Sequence, residues 1–176
     1  MNKISLERIN EKSPYTLKEI NGGFEFHTSK GTCYRIYFVE ESPIGGCETM
    51  QFMLNRVGDS DTHYDPNVST ITFIIIDEFF TENDDVLLYI CDTSDHREAG
   101  RNRLFLNWFE KAANPKRFVI RTAKAVVEDE SIFAAIIVQR TNASLLVMLN
   151  ASYESINKAF DLILNEFDET AKALEK

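Results

Sequence analysis

The sequence predicts an α+β domain: a largely antiparallel or mixed multi-stranded sheet with two main helices, about 96–113 and 152–174, packed on it. Roughly nine strand-like runs stand against only those two stretches of clear helical periodicity, a ratio that suits helices gathered on one face of a sheet. The chain opens as a meander, with a short asparagine-glycine connection between two strand-like runs. Its 176 residues, 44% of them hydrophobic and thirteen of them phenylalanine, are enough for one core. One domain over 1–176 follows, with 1–13 as a flexible segment or a short helix.

The elements follow in order. Residues 15–20 and 24–28 flank Asn21, Gly22 and Gly23 and form a hairpin. A second turn at Ser29, Lys30 and Gly31 leads into "CYRIYFVEE", where Tyr34, Ile36 and Phe38 face one way and Cys33, Arg35, Tyr37 and Val39 the other. Pro43 and Gly45-Gly46 break that run; Gln51 to Val57 is the next strand, and 58–66, "GDSDTHYDP", a polar loop. "TITFIII" at 70–76, "VLLYI" at 86–90 and "IFAAIIV" at 132–138 lack polar alternation and are expected as central strands covered on both faces. On this reading Asp77-Glu78 and Asp84-Asp85 form the acidic tip of a hairpin.

Leu104, Phe105, Trp108, Phe109 and Ala112 recur at helical spacing before Asn114-Pro115. Arg117 to Val127 and Leu145 to Leu149 are further strands. Ile156, Phe160, Ile163, Phe167 and Leu174 stripe the last helix. One sheet face still needs a cover, which either the curled meander or a second copy in a homodimer would supply.

A formal charge of -9, from 19 basic and 28 acidic residues, repels phosphate backbones and anionic lipid, so no nucleic-acid or membrane partner is expected. Cys33, Cys47 and Cys91 form no CxxC pair, and no metal site has its usual spacing. His27 reads as a half-exposed sheet residue, and His63 belongs to a solvated loop. The N-terminus lacks the apolar core of a signal peptide, and no run could span a bilayer, which points to the cytoplasm.

The densest polar stretch is "CDTSDHREAGRNR" at 91–103. In its plainer reading Asp95 caps the helix, Glu98 completes a capping box, and Cys91 is a buried thiol. In its functional reading the helix start and Arg97, Gly100 and Arg101 hold a phosphate or carboxylate. His96 is then the candidate proton carrier, oriented by Asp92 or Asp95. "REAGRN" resembles the Arg/Gln-x-x-Gly-x-Gly/Ala signature of the acyl-coenzyme A acetyltransferase fold, matching at Arg97 and Gly100 and departing at Asn102. That resemblance implies acyl-coenzyme A as a cofactor; otherwise none is expected.

Together, "YTLKEINGGFEFHTSKGTCYRIYF" and "YICDTSDHREAGRNRLFLNWF" resemble a family of uncharacterised small bacterial proteins carried as a domain of unknown function. The resemblance runs from about Tyr15 to the last helix. It implies a bacterial, intracellular, single-domain protein and supplies no activity or catalytic residues. With no catalytic signature in the chain, the expected role is a non-catalytic cytoplasmic domain that binds a protein partner or a small ligand. The alternative is an enzyme acting on an anionic substrate, most concretely an acyl-coenzyme A-dependent N-acyltransferase.

Overall fold

A computed structural model describes residues 3–44, 46–58, 65–91, 98–112, 117–127 and 130–142. The helix expected over 152–174 and the strand expected at 145–149 lie outside the described residues. In chain order the elements are α1 (Leu6–Lys12), β1 (Leu17–Ile20), β2 (Gly23–His27), β3 (Cys33–Ile44), β4 (Cys47–Val57) and α2 (Pro66–Glu82). After them come β5 (Val86–Ile90), α3 (Glu98–Ala112), β6 (Phe118–Val127) and β7 (Glu130–Gln139). The seven strands make one mixed sheet in the order β1-β2-β3-β4-β5-β7-β6, antiparallel everywhere except between β4 and β5.

Local chemistry explains the opening meander. Ile20 pairs with Gly23, so Asn21 and Gly22 alone turn the chain, and Gly22 takes the left-handed φ of 78° that a tight hairpin needs. Between β2 and β3, the Thr28 N–H donates to the Thr32 carbonyl at 2.9 Å, and the Thr28 hydroxyl accepts from the Thr32 N–H at 3.1 Å. This side-chain turn sets the register that places His27 opposite Cys33. β3 runs on through Pro43 to Ile44, with an irregularity between Glu41 and Ile44 that accommodates the proline.

The stretch 70–76 is not a strand. It lies within α2, the crossover that joins β4 to its parallel neighbour β5. An apolar run buried all round has no period to tell helix from strand, and its β-branched residues favour the wrong answer. The deciding signal sits upstream: Asp65 is the N-cap, accepting from the Asn67 N–H at 2.9 Å, and Pro66 fills the first helical position. Tyr15 steadies that cap by donating its hydroxyl to Asp65 at 2.9 Å.

With α2 in place, Asp77 and Glu78 are helical residues instead of a hairpin tip. Glu78 is buried and accepts from Arg8 of α1 at 2.6 Å, with Glu82 also paired to Arg8, while Asp77 pairs with Arg117. The N-terminal segment contains a short helix, capped by Ser5, whose Ile9 is fully buried.

The main core joins one sheet face to the helices, through Ile36, Phe38, Phe52, Leu87 and Ile137 from strands and Ile9, Ile71, Phe79 and Phe105 from helices. Phe79 stacks on Phe38 with ring centroids 5.1 Å apart, and Phe105 stacks on Tyr89. A second cluster of Ile44, Val86, Leu88, Ala134, Ile136 and Val138 is also buried. Strict alternation along β5 and β7 puts it on the opposite face, so both strands are covered on both sides as their sequences predict. These six side chains are buried within the single chain. The meander extends the sheet at the β4 side, and Ile44 at the end of β3 contributes to this cluster.

Candidate functional site

Along the second face of β4, cover gives way to solvent: Thr49 and Gln51 are buried, Met53 is half-buried, and Asn55 and Val57 are exposed. The face opens toward β2 and β3. Because residues two apart share a face, Glu25 and His27 of β2 stand beside Cys33, Arg35 and Tyr37 of β3 there. The register pairs His27 with Cys33, Glu25 with Arg35 and Gly23 with Tyr37. Gly23 is needed at this point, since a Cβ would lie 1.9 Å from the Ile36 carbonyl oxygen and 3.0 Å from the Tyr37 ring.

Arg35 Nε donates to Glu25 Oε2 at 2.8 Å, and His27 Nε2 lies 3.4 Å from the other oxygen, Oε1. One carboxylate therefore ties two cationic or donor groups together. The ligand atoms of Glu25, His27 and Cys33 all lie within 4.8 Å of one another. The hydrogen bond from Arg35 holds the Glu25 carboxyl below the usual carboxylate range, outweighing its partial desolvation. Burial, reinforced by the Glu25 charge, pushes the Cys33 thiol up. A thiol raised in this way stays protonated and is a poor nucleophile.

The Glu25 shift has a sign that can be checked. A carboxyl whose folded value is depressed contributes stability above its unfolded value and loses it as pH falls through the folded one. Glu25→Gln should therefore lose less stability than wild type on going from about pH 5 to about pH 3. Urea midpoints at both pH values decide it: equal losses in the two proteins would show that the Arg35 pair contributes nothing.

The charged segment at 91–103 is only partly described. Asp92, His96 and Arg97 lie outside the described residues, as does the Asp95 cap. Cys91 is buried, as its plainer reading expects, and its backbone N–H donates to the Phe133 carbonyl at 2.9 Å. Burial, and next the neighbouring Cys91, raise the phenol of Tyr89, while the Arg101 charge works the other way. Gly100 sits exposed in the first turn of α3, and Arg101 beside it is partly buried.

The face residues Glu25, Arg35 and Tyr37 were not singled out by motif. Their signal was the alternation of Cys33, Arg35, Tyr37 and Val39, but which β2 residues stand opposite them depends on register. Among the described helices none is long and apolar enough to cross a membrane.

The fold defines a class: an α+β protein with a seven-stranded mixed sheet, described helices on one face, and an ionisable corner on the other. The chain belongs to the family of unknown function DUF6169, which matches residues 64–169. The match begins just before α2 and includes the 91–103 segment, and the corner built by β2, β3 and β4 precedes it. No curated protein matches the chain.

Proposed function

We propose that the protein is a non-catalytic cytoplasmic domain that binds a protein partner or a small ligand on the exposed face of β2, β3 and β4. The observation that carries this is the make-up of the face. Tyr37, Met53 and Arg35 lie together, flanked by Val39 and Val57, which are 43% and 37% exposed. Tyrosine, methionine and arginine are the residues enriched where proteins recognise one another. The ionisable groups support the reading, because Glu25 and Arg35 neutralise each other and burial pushes the Cys33 thiol up.

The test has two arms. A photo-reactive amino acid at position 37, with position 104 on α3 as control, should give a discrete adduct at 37 alone if the partner is a protein. Coenzyme A esters, nucleotides and sugar phosphates, screened by thermal shift, should raise the midpoint of wild type but not of Tyr37→Asp if it is a small ligand. Neither arm should yield product. Turnover that disappears in Arg97→Ala would overturn the reading and move the function to 91–103.

A second reading, an enzyme using acyl-coenzyme A, is favoured by one observation. A Cβ on Gly100 would meet open space, so the backbone at the start of α3 is approachable. Acetyl-coenzyme A at millimolar concentration should then raise the thermal midpoint, and an unmoved midpoint removes this reading.

A further inference from the structure

We propose that Glu25, His27 and Cys33 form a site for a single zinc ion on the exposed sheet face. The proposal deepens the binding reading of that face and rests on it. The three side chains offer one carboxylate, one imidazole and one thiolate, the donor types that zinc takes. They come from two adjacent strands whose pairing is fixed by the ladder, with His27 directly opposite Cys33 and Glu25 two residues before His27.

Tetrahedral zinc with bonds of about 2.0–2.3 Å separates its ligand atoms by roughly 3.3–3.7 Å. The atoms here lie within 4.8 Å, so a shift of about an ångström in the side chains would close the set. Glu25 is already oriented for the task. Its Oε2 accepts from Arg35, leaving Oε1, the oxygen beside His27, to face the ion. Such an outer partner is what ordinarily aims a ligating carboxylate.

Three protein ligands leave a fourth position for water or for a group from whatever binds the face. On binding, Cys33 gives its thiol proton to solvent and donates a sulfur lone pair to the metal; nothing is oxidised or reduced. The carboxylate and thiolate balance the ion's two charges, and Arg35 stays paired to the outer oxygen. No CxxC or HxxxH spacing announces the set, because two hairpin strands assemble it.

The test uses metal-free full-length protein and the metal alone. Zinc is titrated against a chromophoric chelator, and cobalt replaces zinc to give the thiolate-to-metal charge-transfer absorption. Wild type and Cys47→Ser should each bind one equivalent with that absorption. Cys33→Ser should lose the absorption, and His27→Ala and Glu25→Gln should each bind more than about tenfold more weakly. His27 is exposed and Glu25 and Cys33 are half-buried, so unchanged circular dichroism is required to show that each variant folds. Absence of binding by wild type, or binding kept in both Cys33→Ser and His27→Ala, overturns the proposal. Either result leaves the adduct at position 37 to judge the wider binding reading separately.

Discussion

Phe79→Ala is expected to cost about 3–5 kcal/mol, the range for deleting a buried phenylalanine from a packed core. Phe79 is fully buried in α2, stacked on Phe38 of β3 at 5.1 Å and edge-on to Phe80 at 5.0 Å. The ring thus joins the crossover helix to the meander half of the sheet, and its loss leaves a cavity bounded by elements that cannot close independently. For a chain of this size the melting temperature should fall by roughly 10 °C. Leu104→Ala, at a residue 38% exposed on α3, should stay within about 0.5 kcal/mol of wild type. Urea or thermal melts of both variants decide the matter. A loss below about 1 kcal/mol for Phe79→Ala would mean that α2 is not seated on the sheet as described.

Gly23→Ala is the second large effect, and its neighbour supplies the control. At Gly22 a side chain meets only the edge of Tyr37 at 4.0 Å, but the φ of 78° is unfavourable to any L side chain. Gly22→Ala should therefore cost about 1–2 kcal/mol. At Gly23 the obstacle is the Ile36 carbonyl, which belongs to the ladder and cannot swing aside as a side chain would. About 3 kcal/mol is expected, at the upper end of ordinary overpacking. The two variants also differ in function. Separating β2 from β3 at Gly23 pulls Glu25 and His27 away from Cys33, so Gly23→Ala should weaken zinc binding and Gly22→Ala should not. Equal stability and equal metal affinity in the two variants would contradict the described pairing.

Much of the fold was legible in the chain. The Asn21-Gly22 turn, the two faces of β3, the unalternating runs at 86–90 and 132–138 and the helix expected at about 96–113, described over Glu98–Ala112, each carry a local or periodic signal that tertiary structure did not override. α2 was not legible from its apolar run. Thr70 to Ile76 reads as strand by propensity, and the weaker cue, Asp65-Pro66 as cap and first turn, looked like the end of a polar loop. Misplacing this one helix also turned Asp77 and Glu78 into a hairpin tip. Their true partners, Arg117 and Arg8, are distant in sequence, so no local pattern could have paired them.

The candidate site divides the same way. His27 announced itself as a half-exposed strand residue, and Cys33, Arg35 and Tyr37 as one face of a strand. Their meeting required the register set by the Thr28–Thr32 turn, because a slip of one residue would send one strand's set to the other face.

By itself, then, the sequence determined the class of fold, the turns and the faces of the outer strands, since these follow from backbone preferences and side-chain periodicity within a few residues. Tertiary structure selected the helix at 66–82 that the Asp65-Pro66 cap only hinted at, and it alone decided that β4 and β5 run parallel and that Glu25, His27 and Cys33 share a corner. Those outcomes depend on which surfaces bury each other across the chain, and pairing between distant segments leaves no trace in local pattern.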